Sequence, residues 1–328
     1  MTLQQQPSQQ THDRIHEESA YFQRIAAELG TIIVGNQQAI DGLLIAVLCN
    51  GNVLLEGIPG VAKTTMIKAM AQALGLDFKR IQFTPDLLPS DVIGTLIYNQ
   101  KTQEFETKQG PIFTNIVLAD EINRAPAKVQ SALLEAMQEH QVTIGNETFV
   151  LDEPFFVFAT QNPLEQEGTY RLPEAQVDRF LCKLMICYPP LHHEREIIVK
   201  ARFVPKLQPL VTKNIIKSAQ ELVNMVYVDE KIVDYILHII FALREPNSNS
   251  PLKDYIACGP SPRGTLALYH AAQAYAFLRR RYFVTPDDIK AIALPILRHR
   301  VTLSYQAEAE RITSDTLITQ VLTQIKAP

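Results

Sequence analysis

The fold is decided by the stretch Gly57-Ile58-Pro59-Gly60-Val61-Ala62-Lys63-Thr64, which directly follows the apolar run Val53-Leu54-Leu55. An apolar strand, a glycine turn and a Lys-Thr pair that opens a helix form a phosphate cradle. The backbone N–H groups of such a loop and the positive end of the helix both face the ligand. Lys63 would reach the β- and γ-phosphates, and the Thr64 hydroxyl would bind Mg²⁺. The stretch therefore predicts a site for a nucleoside triphosphate with magnesium.

The residue before the lysine departs from the pattern G-x-x-x-x-G-K-[ST], because Ala62 stands where glycine is usual. A left-handed residue that carries a Cβ costs about 1–2 kcal/mol, so an alanine here predicts a negative φ at position 62. Taken alone, the stretch also fits a strand-to-helix turn that binds nothing.

Length and composition are those of a globular protein with a sizeable core. The chain has 328 residues, of which 46% are hydrophobic and 20% charged, and this length allows two domains. The net charge of −4 gives no basic field for sequence-independent binding of nucleic acid. Two local basic stretches, at 279–281 and 298–300, are interpreted as solvated helix faces.

The four cysteines are widely spaced and form no C-x-x-C pair, which favours buried, reduced thiols over a metal site or disulfides. The apolar stretch at 43–49 is too short to span a bilayer, and the Gln-rich start has no signal-peptide pattern. We therefore expect a cytoplasmic protein without membrane insertion, in which residues 1–16 form a disordered polar tail.

Strands and helices alternate through the first 190 residues. Near-continuous apolar strands separated by helices indicate a parallel sheet covered on both faces, a three-layer αβα core. Two further segments, 94–107 and 141–151, alternate like β-hairpins that project from this core. The predicted strands are 52–56, 79–83, 115–119, 155–159 and 183–187, and the predicted helices of this part include 17–29, 37–49, 63–74 and 127–140.

The pair Pro189-Pro190 breaks both strand and helix, and the pattern after it is helical to the end. We therefore expect a nucleotide-binding α/β domain over 17–190 and an all-helical lid domain over 191–328. The predicted helices of the lid are 193–202, 218–226, 229–244, 262–281, 286–297 and 313–325.

One predicted strand, Ile116-Val117-Leu118-Ala119, ends in the acidic pair Asp120-Glu121. Ligands of α/β proteins bind at the carboxyl ends of parallel strands, so both carboxylates are expected beside the phosphate loop. Asp120 would hold the water shell of magnesium, and Glu121 would orient and deprotonate an attacking water. Acids at a strand end also cap helices, but the phosphate loop upstream makes catalysis the favoured interpretation.

The strand over 155–159 delivers Asn162 to the same edge of the sheet, where its amide would bind the γ-phosphate and water. The alternative is a turn asparagine that precedes a proline. Arg179 would reach the γ-phosphate of an adjacent subunit, or else form a surface ion pair with Asp178 or Glu174. Arg263, in the first turn of a predicted lid helix, would point toward the ligand, or else be an ordinary exposed arginine.

With these residues in order, the chain resembles an AAA+ ATPase of the MoxR family from about Ile33 to Arg300. The resemblance rests on the phosphate loop at 57–65, the segments Leu118–Pro126 and Ser131–Glu139, the stretch Ala159–Asp178, and Ser261-Pro262-Arg263. It implies ATP with magnesium, a P-loop AAA+ core, a helical lid, and two hairpins that are insertions typical of this clade.

The resemblance also implies a role for each site residue. The adenine would lie between Ile33 and Val34. Asn162 would be sensor 1, Arg179 the arginine finger that acts in trans, and Arg263 sensor 2. Arg171, near Arg179, leaves open which of the two arginines contacts the neighbouring subunit. The phosphate loop would comprise Gly57, Pro59, Gly60, Val61, Ala62, Lys63, Thr64 and Thr65, the magnesium ligands would be Thr64 and Asp120, and Glu121 would be the catalytic acid of Walker B.

The expected function is an ATP-driven chaperone that remodels or matures client proteins as a ring, most simply a hexamer. By resemblance, its partners would be von Willebrand factor A-domain proteins. A nucleic-acid motor is a second hypothesis, against which stand the acidic net charge and the absence of Lys and Arg from the 141–151 hairpin. A nucleotide-gated binding protein that never hydrolyses is a third, against which stand Glu121, Asn162 and Arg179.

Overall fold

The structure is a computed structural model that describes residues 8–163, 170, 172–200, 207–246 and 252–328. Its centre is a five-stranded sheet in the order β2-β5-β8-β1-β9, and every neighbouring pair is parallel. The strands are β1 (Val53–Gly57), β2 (Phe78–Gln82), β3 (Gly94–Asn99), β4 (Glu104–Gln109), β5 (Ile116–Asp120), β6 (Gln141–Ile144), β7 (Glu147–Val150), β8 (Phe156–Gln161), β9 (Cys182–Ile186), β10 (Ile256–Cys258) and β11 (Thr302–Leu303).

Helices cover both faces of this sheet and form most of the C-terminal part. They are α1 (Gln9–Ile32), α2 (Gln37–Leu48), α3 (Lys63–Leu74), α4 (Pro89–Ile93), α5 (Ala127–Glu139), α6 (Glu174–Val177), α7 (Leu191–Lys200), α8 (Lys213–Asn224), α9 (Glu230–Arg244), α10 (Leu252–Tyr255), α11 (Pro262–Leu278), α12 (Pro286–Leu297), α13 (Tyr305–Ala309) and α14 (Ser314–Gln324).

Alternate side chains of the central strands enter two different cores. On β1, Val53 and Leu55 pack with α1, α2 and α3, whereas Leu54 packs with α5 on the opposite face. This alternation follows from the period of two along a strand. The predicted three-layer α/β core is confirmed, and all five predicted strands occur within two residues of their expected ends.

Both predicted hairpins, β3–β4 and β6–β7, form antiparallel sheets separate from the central one. They meet each other, because a Cβ added at Gly145, in the turn of the second hairpin, would lie 2.5 Å from a methyl carbon of Leu96 in the first. Residues on the first hairpin are notably exposed for their type: Tyr98 is 50% exposed and Phe105 is 69% exposed. The hairpins thus present apolar side chains outside both cores.

The first helix begins eight residues earlier than predicted, so the expected disordered tail over 1–16 is wrong for residues 9–16; residues 1–7 lie outside the described part. The Ser8 hydroxyl caps the helix by accepting from the Thr11 N–H. Ile15 is buried, and the His12 ring stacks on Tyr282 at 3.6 Å between centroids. Contacts with the C-terminal helices therefore stabilise a segment that is polar in sequence.

The C-terminal part contains the six predicted helices, but it is not all-helical as expected. Two short strands, β10 and β11, pair antiparallel with an irregular register. They are too short for a period of two to be visible in the sequence. The start of α12 is as predicted: Thr285 precedes Pro286, and the Asp288 carboxylate accepts from the Thr285 N–H at 2.8 Å.

One continuous core joins the central sheet to the C-terminal helices. Leu55 of β1, Phe277 of α11 and Leu297 of α12 all belong to it. The central sheet and the C-terminal helices therefore share one apolar packing layer. The division of the chain into domains at residue 190 stays a prediction.

The cysteines are less uniform than predicted. Cys182 on β9 is buried and Cys49 partly buried, and burial raises the pKa of Cys182 to about 12. Cys187 and Cys258 are exposed, because the first follows the end of an edge strand and the second lies in the small β10–β11 sheet. In the part of the chain that the structure describes, no helix has the length and apolar character needed to cross a bilayer.

Candidate nucleotide-binding site

A cavity of 470 Å³ lies at the carboxyl ends of β1, β5 and β8. Residues from all three strand ends line it together, as the register of a parallel sheet requires. Lys63, Asp120 and Asn162, which the sequence places at three separate positions, thus meet around one space. Its lining comprises Pro59, Gly60, Val61, Ala62, Lys63, Thr64, Thr65, Arg80, Asp120, Glu121 and Asn162.

The phosphate loop connects β1 directly to the N-terminus of α3. Gly60 has φ +86°, a conformation that favours glycine, and a Cβ there would meet no atom within 4 Å. The ammonium of Lys63 donates a hydrogen bond to the Gly57 carbonyl, which holds the side chain along the loop. The loop, the helix N-terminus and the ammonium together give the cavity the character of an anion site.

The expected negative φ at Ala62 is wrong, because this residue is left-handed with φ 58° and ψ 24°. The loop must turn sharply between β1 and α3, and this turn fixes the backbone at position 62 whatever its side chain. Glu121, across the cavity, is also left-handed, with φ 56°. Two strained non-glycine residues therefore face the same cavity, at an intrinsic cost of about 1–2 kcal/mol each.

Asp120 is 8% exposed and is held by groups from both neighbouring strands. The Thr160 hydroxyl on β8 donates to Asp120 Oδ1 at 2.6 Å and accepts from the Glu121 N–H at 2.8 Å. On the other side, Arg80 of β2 pairs with Asp120 Oδ2 at 2.7 Å. Thr160 thus fixes the acidic pair, and Arg80 adds a second cation to the cavity.

Glu121 is bound by two side chains. Gln82 on β2 donates from Nε2 to Glu121 Oε2 at 2.9 Å, and Arg124 pairs with the same oxygen at 3.1 Å. Sequence reasoning missed Arg80, Gln82 and Thr160. A signal for the first two was present, because they are polar residues two apart in the predicted strand 79–83 and so share one face.

The remaining predicted site residues do not line this cavity. Ile33 and Val34 are 4% and 7% exposed, and Ile33 belongs to the core around α1. Arg263 is exposed at the start of α11, and Arg179 is partly buried. Arg171 lies outside the described residues. The structure thus brings together the strand-end residues and the phosphate loop, whereas the arginines expected to complete the site lie apart from them.

A larger cavity of 680 Å³ adjoins the first, and Asn162 lines both. The ion pair between Lys183 and Glu56, 2.6 Å apart, lies in its wall, and His299 contributes to the lining. Among the described residues, those of the phosphate loop line the smaller of these two cavities and not the larger. The nucleotide site is therefore assigned to the smaller one.

The basic stretch at 298–300 is not a solvated helix face as interpreted from the sequence. Arg300 is 7% exposed, and Arg298 pairs with Asp315 at 2.9 Å. Burial lowers the pKa of Arg300, while the nearby Asp178 opposes this shift. The pKa of His299 lies well below its usual range, mainly through burial and next through the charge of Arg300.

Comparison with known proteins identifies the fold and its relatives. The ATPase family associated with various cellular activities (AAA) matches residues 52–182, and the AAA lid domain matches residues 252–321. Chaperone MoxR1 of Mycobacterium tuberculosis is 45% identical, over 94% of this chain and 82% of its own length. The YeaC protein of Bacillus subtilis is 47% identical over 92% of both chains. The MoxR protein of Paracoccus denitrificans is 31% identical over 89% of this chain and 91% of its own.

A crystal structure from Cytophaga hutchinsonii, of a protein provisionally described as an ATPase, superposes with a TM-score of 0.88. It is 46% identical in sequence and covers 96% of this chain and 98% of its own. The relatives of nearly full length thus match this chain across both its α/β core and its C-terminal part. The chain belongs to the MoxR family of AAA+ ATPases.

Proposed function

We propose that the protein hydrolyses ATP with magnesium and uses the cycle to remodel or mature client proteins in the cytoplasm. The single observation that carries the proposal is the cavity shared by Lys63, Asp120, Glu121 and Asn162. A cation, two carboxylates and an amide around the mouth of a phosphate loop form the set that phosphoryl transfer to water requires.

The residues of the cavity fit a magnesium nucleotide. Thr64 and Asp120 offer the hard oxygen ligands that Mg²⁺ prefers, and both line the cavity. Bound there, the ion would neutralise charge on the β- and γ-phosphates. Lys63 would leave the Gly57 carbonyl to bind those phosphates, since a charge-assisted hydrogen bond is stronger than a neutral one.

Glu121 and Asn162 would act on the attacking water. The carboxylate of Glu121 would accept the water proton, and the Asn162 amide would orient the water toward the γ-phosphate. Glu121 first has to exchange Gln82 and Arg124 for the water, and this exchange is feasible because its side chain remains 25% exposed. The adenine would lie against Ile33 and Val34.

Arg179 would serve the site of a neighbouring subunit, in a ring that is most simply a hexamer. Its position outside the cavity of its own chain supports a role in trans, since the one arginine among the described lining residues, Arg80, is already paired with Asp120. Arg263 would approach the bound nucleotide when the lid closes. Hydrolysis would therefore depend on assembly.

The client would meet the hairpins. Tyr98 and Phe105, 5.3 Å apart between ring centroids, are exposed on β3–β4 and offer an apolar surface to an unfolded segment. The relative named as a chaperone, 45% identical to this chain, supports this class of activity. The partners would be von Willebrand factor A-domain proteins.

The test is a comparison of binding and turnover in the Glu121→Gln variant. This change removes the proton acceptor but keeps the size of the side chain, so kcat should fall by about 10²–10⁴-fold while ATP affinity is retained. Affinity is measured by fluorescence titration, and turnover by phosphate release from the assembled protein. Normal turnover in the variant would refute the proposal.

A further inference from the structure

Asp178, next to the proposed trans-acting Arg179, is bound by two separate elements of the C-terminal part. Arg300, just after α12, donates from Nε to Asp178 Oδ1 at 2.9 Å. Ser261, at the start of α11, donates from its hydroxyl to Asp178 Oδ2 at 2.9 Å. Each oxygen of this carboxylate thus has a different lid residue as its partner.

Arg300 also binds the backbone on both sides of Arg179. Its guanidinium donates to the carbonyls of Asp178 at 3.2 Å, Phe180 at 2.7 Å and Leu181 at 2.9 Å, and to that of Ile296 in the last turn of α12. With the bond to the Asp178 carboxylate, all N–H donors of this guanidinium are used. Because the Arg300 side chain is only 2% exposed, water does not replace these bonds.

Ser261 connects the same carboxylate to Arg263. Its hydroxyl oxygen accepts from the Arg263 N–H at 3.2 Å while the hydroxyl proton goes to Asp178. The Ser261 hydroxyl therefore bridges the backbone of Arg263 and the carboxylate of Asp178, the residue before Arg179. A movement of α11 or α12 changes the partners of Asp178.

We propose that Asp178 is a positioning residue that makes the placement of Arg179 depend on the lid of its own subunit. This inference rests on the proposed function, since it requires Arg179 to act on a neighbouring site. The lid elements that carry Ser261 and Arg300 hold residues 178–181 through buried, charge-assisted bonds. When the lid moves with its own nucleotide, this segment moves too, and the neighbouring site gains or loses its arginine. The nucleotide state of one subunit thereby sets hydrolysis in the next.

The experiment uses full-length subunits in mixed rings. A ring of Asp178→Asn subunits should keep its ATP affinity but lose about 10–100-fold in kcat, the effect of misplacing a catalytic group. Mixing these subunits with Glu121→Gln subunits should restore turnover. In such a ring, a Glu121→Gln subunit supplies a correctly placed Arg179 to the site of a neighbouring Asp178→Asn subunit, in which Glu121 is unchanged. A role of Asp178 confined to its own lid and its own site would give no recovery.

Two further variants keep the result interpretable. Ser261→Ala removes one link and leaves the buried Arg300 pair intact, so it should show a smaller loss that is rescued in the same way. Asp315→Asn is the matched control, because it breaks an arginine–aspartate pair that lies within the lid. It should leave turnover unchanged.

Mixing Arg179→Ala with Glu121→Gln separates the two proposals. Recovery with Arg179→Ala but not with Asp178→Asn or Ser261→Ala overturns the inference and leaves the proposed function standing. Failure of both mixtures in rings of verified composition overturns the trans role of Arg179, and the inference falls with it. Unchanged turnover in the assembled Asp178→Asn protein also overturns the inference.

Discussion

The phosphate cavity and the lid junction around Asp178 use ionic groups in opposite ways. In the cavity, Arg80 is 49% exposed and Glu121 is 25% exposed, so water and ligands can reach their charged atoms. At the junction, the Arg300 side chain is 2% exposed and every donor has a protein partner. Exposed pairs exchange partners at low cost, whereas a buried pair that loses one member is strongly destabilised. The cavity is thus built for exchange and the junction for a fixed geometry.

If this contrast holds, the largest change in stability should come from the junction. Replacing Arg300 with methionine keeps a similar volume but removes the buried charged donor from the Asp178 carboxylate and from four carbonyls. The free energy of unfolding should fall by about 3–5 kcal/mol, measured by urea denaturation. The matched control is Arg279→Met, which removes a 46%-exposed partner of Asp41 and should cost less than about 1 kcal/mol. Equal losses of unfolding free energy in the two variants would contradict the proposed difference between buried and exposed ion pairs.

Substitutions in the cavity should change the affinity for ATP rather than the free energy of unfolding. Lys63→Ala removes the ammonium that would bind two phosphates, and each charged hydrogen bond contributes about 1.5–3 kcal/mol. ATP affinity should therefore fall by about 100-fold or more, while the urea midpoint stays near that of the unmodified protein. Lys68→Ala, an exposed lysine on the same helix, is the control and should bind ATP normally. Unchanged affinity in Lys63→Ala would exclude the phosphate loop as the ligand site.

These two regions also differ in how far the sequence predicted them. The cavity residues lie at the ends of apolar strands, so a local pattern together with the geometry of a parallel sheet was sufficient to bring Lys63, Asp120 and Asn162 together. The junction joins residues 178 and 300, which are 122 positions apart. No local pattern indicates that an arginine in a polar stretch is buried, because its burial depends on how the end of α12 packs against the segment that leads into β9.

Within the cavity, the sequence did not predict the side chains from neighbouring strands that bind Asp120. Arg80 and Thr160 contact Asp120 only because β2 and β8 flank β5, and this strand order is a tertiary property. The backbone at Ala62 was predicted wrongly for a related reason. The residue type favours negative φ, but the closure of the loop overrides this local preference.

The backbone strain at Ala62 predicts a smaller change in the free energy of unfolding. This change should have the opposite sign to that of the same substitution inside a regular helix. Ala62→Gly should raise the free energy of unfolding by about 1 kcal/mol, because glycine adopts φ 58° without a Cβ clash. The control is Ala291→Gly, at an exposed position inside α12, which should instead lose about 1 kcal/mol through helix propensity. The opposite signs, read from thermal unfolding, are the expected outcome. A loss at both positions would show that the loop does not strain Ala62.

The smallest effect is a pH dependence that belongs to the junction. His299 donates from Nε2 to the Phe180 carbonyl at 3.1 Å, and in the part of the chain that the structure describes its Nδ1 is buried without a partner. Burial and the charges of Arg300, Lys183 and Arg298 hold its pKa well below 6.5. Below pH 6.5 the unfolded chain therefore binds a proton that the folded chain does not, so stability should fall as the pH drops from 6.5.

Urea unfolding between pH 7.5 and 5.5 measures this loss. In His299→Gln the amide can still donate to the Phe180 carbonyl but no longer titrates, so the part of the slope that His299 contributes should disappear. His238→Gln, at an exposed position on α9, should keep the full slope. If both variants keep the slope of the unmodified protein, then the junction accepts a proton at His299, and the difference between a fixed junction and an adaptable cavity does not extend to protonation.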